Sequence, residues 1–269
     1  MHEQRFVSTS VDPFTKKLYD RPINGKYVLI ERLGKGGFGV VYLAKDIVND
    51  EELALKLEHH SIDRSFLEEE ARKYEAFQDA VGLPKAYWFG QHNYFRVMAF
   101  EMLGPTLDDL FAYCGHRFSL KTTLMIADQI LRTKFLHGRA WSVLLDSPAS
   151  GDTKDKSPKD DLESLGYMIA FFLLGETAMA RLASSRQRRK NRVVMEKKMA
   201  TSPEQLCEKL PKEFAEYMQE VQDIPNGGRP HYERFRHKFR NLARKEGVKY
   251  DNVFDWTIRL FLEPKPAMS

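Results

Sequence analysis

The stretch that most constrains this chain is a glycine-rich segment followed at once by residues that favour a β-strand. Gly34, Gly36 and Gly39 have the spacing G-x-G-x-x-G. Glycine has no Cβ atom, so its backbone can approach phosphate oxygens closely. Dinucleotide-binding folds share this spacing, but they need a helix directly after the glycines. Here residues 40–43 are β-branched and aromatic, which predicts a strand instead.

A lysine lies on the next predicted strand. Residues 49–50 predict a turn, and residues 53–57 predict a strand that carries Lys56. A glycine loop between two strands, with a lysine on the third strand, is the arrangement of the protein kinases. A glycine-rich hairpin that binds nothing is the alternative. The spacing of Val41, Ala54 and Lys56 favours nucleotide binding over that alternative.

The next segment predicts an amphipathic helix between residues 61 and 79. Ser65 is a candidate N-cap, and the glutamates at 68–70 place negative charge near the helix N-terminus, where the helix dipole favours it. These carboxylates have two interpretations. They form a solvated acidic helix end, or one of them pairs with Lys56 and holds its amine against the phosphates of a nucleotide.

Composition argues against several other classes of protein. The chain has 269 residues, enough for one large domain or two lobes. A formal charge of +4 is too small to indicate nucleic-acid binding by itself. Cys114 and Cys207 lie far apart, so neither a disulfide framework nor a zinc site is expected. The longest apolar run, residues 167–174, is too short to cross a membrane, and no signal peptide is expected.

Much of the sequence resembles the casein kinase I family of Ser/Thr protein kinases. The most specific match is residues 102–111, Met-Leu-Gly-Pro-Thr-Leu-Asp-Asp-Leu-Phe, which is similar to the segment that joins the two lobes in that family. Further matches follow in the same order and are distributed over most of residues 24–256: residues 117–122, 127–130, 160–167, 196–199, 239–242 and 250–256. The resemblance therefore depends on several motifs in order and not on the glycines alone.

The resemblance implies which residues would bind the phosphates of ATP. Lys56 would contact the α- and β-phosphates, and Glu70 is the helix carboxylate that would pair with it. The glycine loop would cover the phosphates. Its residues are Leu33, Gly34, Lys35, Gly36, Gly37, Phe38 and Gly39.

The resemblance also implies an adenine site. Val41 and Ala54 would hold the ring between them. Phe100 would take the gatekeeper position, where the family more often has Met. Backbone groups of Glu101 and Leu103, in the segment between the lobes, would bond the adenine edge, although a plain strand end is the simpler interpretation of that segment.

The parts of the family pattern that perform phosphoryl transfer are missing. Kinases of this family have a His-Arg-Asp motif, an Asn shortly after it and an Asp-Phe-Gly motif. Neither motif occurs in this sequence. Only 22 residues, 138–159, lie between His137, near the end of one predicted helix, and Asp160, at the start of the next. The family places its catalytic loop and activation segment there, so several dozen residues are absent.

Residues 143–146 leave two family interpretations open. They match the strand that leaves the catalytic loop, in which case Ser142 stands where the metal-binding Asn belongs. They otherwise match the strand before Asp-Phe-Gly, in which case Asp146 is a substitute metal ligand. A short apolar strand followed by a polar loop, with no catalytic role, is the interpretation that we favour.

The remaining segments predict helices. Residues 162–174 are apolar nearly all round, which predicts a buried helix, and residues 231–242 predict a packed basic helix. The resemblance implies that Asp161 is buried against the catalytic loop, so that without this loop its carboxylate lacks its partner. The basic run at residues 186–192 predicts a solvated helix face, with a nuclear-localisation signal or a patch for acidic substrates as the alternative.

The sequence thus predicts an α+β, two-lobed protein-kinase-like fold. Residues 24–260 form the domain, with a β-rich N-lobe at 24–101 and an abridged helical C-lobe at 102–260. An N-terminal extension, residues 1–23, and a C-terminal tail, residues 261–269, flank it.

The expected function is that of a casein kinase I-like pseudokinase that retains ATP binding, has impaired phosphotransfer and acts by binding or scaffolding. One alternative is an active Ser/Thr kinase in which Asp146 or another carboxylate replaces the missing acids. A second is an incomplete product of an active kinase gene. ATP is the expected ligand, whereas Mg²⁺ binding is doubtful because no metal ligands are identified. A protein partner or substrate is expected, without nucleic acid or membrane, in the cytoplasm or also the nucleus; the oligomeric state is left open.

Overall fold

The computed structural model describes residues 21–36, 39–63, 65–76, 82–137, 157–182, 206–225 and 227–262. The protein is α+β, with a five-stranded antiparallel sheet and a set of helices, so the predicted class is confirmed. The chain divides into two compact units, Met1–Gly104 and Pro105–Ser269. The kinase fold and the domain limits stay predictions. Within the described ranges, no helix has both the length and the apolar character needed to cross a membrane.

The first unit contains the sheet and one helix. In chain order its elements are β1 (Tyr27–Gly36), β2 (Gly39–Asp46), β3 (Glu51–His59), α1 (Phe66–Ala76), β4 (Ala86–His92) and β5 (Phe95–Phe100). The strands lie in the order β1-β2-β3-β5-β4, and each neighbouring pair is antiparallel. The predicted glycine hairpin, the lysine strand and the helix after it are therefore all present.

Residues with left-handed backbone conformation close the turns between strands. Asp50 (φ 60°) lies between β2 and β3, and Asn93 (φ 52°) lies between β4 and β5. Asn and Asp adopt this conformation more readily than most residues with a side chain. By residue type alone, the polar residues 91–93 predict a second turn, between strands at 87–90 and 94–100. In the structure β4 continues to His92, and the turn consists of Asn93 and Tyr94.

The two faces of the sheet have different surroundings. Side chains alternate between the faces along a strand, so the strand register assigns each residue to a face. Leu55 of β3 pairs with Tyr42 of β2 and Ala99 of β5, and all three belong to the main hydrophobic core of this unit. Lys56 is therefore on the opposite face, together with its partner Met98, which packs against α1. We name this second side the helix face.

The second unit is helical in its described part. Its helices are α2 (Leu107–Tyr113), α3 (Leu120–His137), α4 (Pro158–Leu182), α5 (Lys212–Gln222), α6 (Tyr232–Lys245) and α7 (Asp255–Leu262). Helix α4 has a kink at Gly175, where φ is 78° and ψ is 166°.

Helices α3, α4, α5 and α6 share one hydrophobic core. Leu131 of α3, Leu165 of α4, Tyr217 of α5 and Phe239 of α6 are all buried in it. The predictions of a buried helix at residues 162–174 and of a packed basic helix near residues 231–242 are therefore confirmed. The apolar stripe of each helix faces its neighbours, which is what makes these marginal helices stable.

Two helices of this unit begin with side-chain caps. The Thr106 hydroxyl accepts a hydrogen bond from the Asp109 N–H (3.1 Å), and the Asp109 carboxylate accepts one from the Thr106 N–H (3.0 Å), which is a capping box for α2. At α3, the Ser119 hydroxyl accepts a hydrogen bond from the Thr122 N–H (3.1 Å). The Ser119 hydroxyl (2.7 Å) and N–H (2.6 Å) both donate to the Asp255 carboxylate. Asp255 thereby ties the start of α7 to the start of α3.

A buried carboxylate joins α3 to α6. Asp128 accepts hydrogen bonds from the guanidinium groups of Arg240 (2.9 Å) and Arg236 (3.1 Å). Burial by itself would raise the pKa of Asp128, but the hydrogen bonds from both arginines outweigh this effect and lower it. Separation of α3 from α6 would leave the Asp128 charge without its arginine partners, which is costly for a buried carboxylate. These ion pairs therefore hold α6 against α3.

Asp161, near the start of α4, differs from its expected state. It is half-buried, not buried. The expectation that its carboxylate lacks a partner is wrong, because Asp161 interacts with neighbouring groups. Burial and the nearby Asp161 charge together raise the pKa of the Tyr232 hydroxyl on α6.

Candidate functional site

Residues predicted to bind a nucleotide lie on the helix face of the sheet. Gly34 of β1 pairs with Val41 of β2, and Val41 pairs with Lys56 of β3. Directly paired residues point to the same side of a sheet, so these three residues form one row. Ala54 lies two positions before Lys56 on β3 and therefore shares its face. The hairpin thus brings a glycine, an apolar side chain and a cation together on three adjacent strands.

Two glycines of the loop have different structural roles. Gly39 has φ of 139°, and a Cβ atom there would collide with the main-chain carbonyl oxygen of Leu57 on β3. Glycine at this position therefore permits β2 to approach β3 closely. Among the residues that the structure describes, a Cβ atom at Gly34 would meet nothing within 4 Å. The space beside Gly34 is open, whereas the space beside Gly39 is filled by the protein itself.

An ion pair connects β3 to α1. The Lys56 Nζ atom lies 2.5 Å from a carboxylate oxygen of Glu70, and the two side chains are 22% and 30% exposed. This is the pairing that the sequence offered as one of two interpretations. A partly exposed pair contributes about 1 kcal/mol or less to stability. Its main effect is to fix the position of the ammonium group, which has three N–H donors and uses one of them for Glu70.

A tyrosine lies one helical turn after Glu70. Burial and, to a smaller extent, the Glu70 charge raise the pKa of Tyr74 to about 12. The phenol is therefore protonated at neutral pH. Tyr74 also packs against a small cluster formed by Leu67 and Ala71 of α1 and Met98 of β5, which seats the helix on the sheet.

Side chains also tie the start of α1 to the sheet. Ser65 is the N-cap, as predicted, and its hydroxyl accepts a hydrogen bond from the Glu68 N–H (3.0 Å). Glu58 of β3, which is 0% exposed, accepts hydrogen bonds from the N–H groups of Phe66 (3.0 Å) and Leu67 (3.2 Å). The sequence analysis did not identify Glu58. The available signal was an acidic residue two positions after Lys56, which places its side chain on the same face of the strand.

The segment after β5 exposes backbone groups. The Glu101 N–H donates to the carbonyl of Lys85 (2.8 Å), and the Lys85 N–H donates to the Glu101 carboxylate (3.1 Å). Glu101 therefore offers only its carbonyl to a ligand. Leu103 is 50% exposed, and its N–H and carbonyl make no hydrogen bond to any residue that the structure describes. Of the two predicted backbone contacts, Leu103 is the one with both groups available.

The apolar members of the predicted site differ in exposure. Ala54 is buried, Val41 and Phe100 are half-buried, and Leu33 is 44% exposed. Phe100 pairs with Ala54 across β3 and β5 and packs against the α1 cluster. The helix face therefore carries apolar surface next to Lys56 that α1 leaves partly uncovered, while Lys35 is exposed at the end of β1.

Several predicted residues lie outside the described part of the chain. They are Gly37 and Phe38 of the loop, Ser142, Asp146 and the basic run at residues 186–192. Gly36 is described only through its pairing with Gly39 at the end of the hairpin. Within the described ranges, no group of three or more His, Cys, Asp or Glu side chains could hold a metal ion.

No known family model matches this chain. The resemblance to casein kinase I therefore stays an interpretation of the sequence motifs. The arrangement of Lys56, Glu70 and Gly34 on the helix face is compatible with that interpretation.

Proposed function

We propose that this protein is a casein kinase I-like pseudokinase with a two-lobed kinase fold, which binds ATP through its first unit and acts by binding or scaffolding a protein partner. The observation that supports this most is the Lys56–Glu70 pair between β3 and α1, in one row with Val41 and Gly34. A lysine held by a helix carboxylate beside a glycine hairpin is the arrangement that kinases use to bind nucleotide phosphates.

The residues fit a nucleotide in the following way. Lys56 keeps donors for phosphate oxygens, and the open space beside Gly34 admits them close to the backbone. Val41, which is half-buried, supplies apolar surface for a flat ring beside the buried Ala54, and the free N–H and carbonyl of Leu103 suit the polar edge of adenine.

Phosphotransfer is proposed to be impaired. The reaction depends on positioning of the nucleophile and on charge neutralisation by bound metal. The sequence has neither a His-Arg-Asp nor an Asp-Phe-Gly motif. Asp146, or another carboxylate of residues 138–159, is the substitute that the sequence offers, and Asp146 lies outside the described residues. The proposed role is therefore binding, in the cytoplasm or also the nucleus.

A thermal-shift titration of the whole chain with ATP, with and without Mg²⁺, tests the proposal. A ligand that binds only the native state at about 100 times its Kd stabilises that state by about 2.7 kcal/mol. We expect a shift that does not need Mg²⁺ and that the Lys56→Met variant loses. Lys45→Met is the matched control, because Lys45 belongs to the same sheet but pairs with Asp50 at the far turn.

The other outcomes decide between the alternatives. A shift that requires Mg²⁺ would contradict the pseudokinase and support an active kinase, to be examined by phosphotransfer with Asp146→Asn. A cooperative melt with no shift would contradict ATP binding and leave a scaffold. Absence of a cooperative melt would support an incomplete product of a kinase gene.

A further inference from the structure

Glu58 is a fully buried carboxylate that joins three parts of the first unit. One oxygen, Oε1, accepts from the N–H groups of Phe66 and Leu67, at the start of α1. The other, Oε2, accepts from the Ser65 hydroxyl (2.6 Å) and from the Arg96 guanidinium of β5 (3.3 Å). The side chain is 0% exposed. Four donors thus converge on one carboxylate between the strand and the helix.

Glu58 and Lys56 form two separate ties between β3 and α1. They lie two positions apart on β3 and on the same face, a distance of about 6.6 Å along the strand. Their partners on the helix, Leu67 and Glu70, are separated by about 4.5 Å along the helix axis, and Phe66 and Glu70 by about 6 Å. Glu58 thus holds the first turn of α1, and Lys56 holds the helix about one turn later, so the two contacts together restrict where α1 lies on the sheet.

Apolar packing alone does not define this position. Leu67, Ala71 and Met98 form the contact between α1 and the sheet. Apolar contact is non-directional, so it favours burial without fixing how far the helix has moved along its axis. Hydrogen bonds to a buried charge are directional and strong, and an unsatisfied buried carboxylate is costly. The tie at Glu58 therefore sets where Glu70 lies relative to Lys56.

We propose that Glu58 is a positioning residue for the nucleotide site: it fixes α1 so that Glu70 meets Lys56. This inference rests on the proposed function for its effect on nucleotide binding, but the position of the Lys56–Glu70 pair can be measured without nucleotide.

Glu58→Leu removes all four hydrogen bonds at similar volume. We expect Glu58→Leu and Glu70→Gln each to weaken ATP binding about tenfold, and the double variant to bind ATP no more weakly than either single variant. Glu58→Gln keeps an amide oxygen for the helix N–H groups and is expected to bind within about threefold of the unchanged protein. A merely structural role predicts instead that the effects of Glu58→Leu and Glu70→Gln multiply.

Asp46 supplies a matched control. It is also a buried carboxylate of this sheet, 4% exposed, and accepts hydrogen bonds from Val48, Asn49 and Lys26 at the far turn. Asp46→Leu therefore destabilises the same unit without touching α1. We expect its ATP affinity to stay within about twofold of the unchanged protein once folded. An equal loss in Asp46→Leu and Glu58→Leu would overturn the proposal.

NMR of reductively ¹³C-methylated lysines gives the readout without nucleotide. The Lys56 signal is assigned by its loss in Lys56→Arg. Its chemical shift in Glu70→Gln is the reference value for a broken Lys56–Glu70 pair. We expect the Lys56 signal of Glu58→Leu to have this reference chemical shift and that of Asp46→Leu to keep the chemical shift of the unchanged protein. If Glu58→Leu does not fold, Glu58→Asp replaces it in this experiment. Glu58→Asp withdraws the carboxylate by one methylene, and we expect it to shift the Lys56 signal to the chemical shift seen in Glu70→Gln.

The two readouts separate the two proposals. If the unchanged protein binds no ATP, the proposed function fails, and the Lys56 signal alone decides whether Glu58 positions α1. If Glu58→Leu or Glu58→Asp leaves the Lys56 signal at its original place, the positioning role is wrong whether or not ATP binds.

Discussion

Substitution of two glycines in the same loop is expected to have opposite effects on stability. Gly39→Ala places a methyl group against the carbonyl oxygen of Leu57, a main-chain atom that cannot rotate away. It also forces a residue with a side chain to adopt φ of 139°. Gly34→Ala meets nothing within 4 Å and has no such backbone constraint.

The magnitudes follow from these two observations. An unfavourable backbone conformation costs about 1 to 3 kcal/mol, and an extra methyl group in a packed site costs about 1 to 3 kcal/mol more. Gly39→Ala should therefore lower the free energy of unfolding by about 4 kcal/mol, the sum of the two central values. Gly34→Ala should raise it by about 0.5 kcal/mol, because alanine loses less backbone entropy than glycine in a strand.

Thermal unfolding of both variants measures the difference. At about 2 to 4 °C per kcal/mol for a chain of this general size, Gly39→Ala should melt about 8 to 16 °C lower, and Gly34→Ala should melt slightly higher. ATP titration of Gly34→Ala then adds a test of the site, since the proposed function predicts weaker binding in a protein that is no less stable. Equal melting temperatures for the two variants would refute the assignment of Gly39 to the close approach of β2 and β3.

Further predictions concern the second unit. Asp128→Asn should lower the free energy of unfolding by about 3 kcal/mol at neutral pH. Since the pKa of Asp128 is lowered in the folded state, its contribution to stability is present above the unfolded pKa of about 3.9 and is lost as pH falls through the folded-state pKa. The melting temperature of Asp128→Asn should therefore decline less steeply below about pH 4 than that of the unchanged protein. Ser119→Ala should cost about 1 to 2 kcal/mol and speed amide exchange in α7, because it removes the hydroxyl contact to Asp255; unchanged exchange there would contradict the tie. Thr106→Ala should cost about 1 kcal/mol, and the double variant with Asp109→Ala should cost less than the sum, as urea unfolding would show.

Local patterns accounted for most of the sheet. The β-branched and aromatic residues of β2, the turn at Asp50 and the strand around Lys56 were all identifiable from residue type and period. Residue type predicts the next turn at residues 91–93, earlier than the observed turn at Asn93 and Tyr94, because the polar residues Gln91 and His92 favour a turn locally. In the structure they continue β4 by pairing with β5, and a neighbouring strand is not visible in a local pattern.

The candidate site could be predicted only in part. The glycine spacing indicated the loop and the lysine strand, and a pair between Lys56 and one of the glutamates at 68–70 was one of two interpretations. The family resemblance implied that this glutamate is Glu70. Glu58 was missed because its partners lie on or next to other elements, α1 and β5, and only the packing of these elements against β3 brings them to its carboxylate.

The sequence by itself determined which residue types were available and on which face of each element they lie, because backbone sterics and side-chain period are local. It therefore determined the glycine hairpin, the lysine strand, the Ser65 cap and the absence of the motifs for phosphoryl transfer. Only the tertiary structure decided that the Leu57 carbonyl occupies the space beside Gly39 while the space beside Gly34 is open. It also decided that the buried Glu58 carboxylate bonds the start of α1. Those properties depend on distances between elements, which are set by packing and by the need to satisfy buried charges across the whole unit.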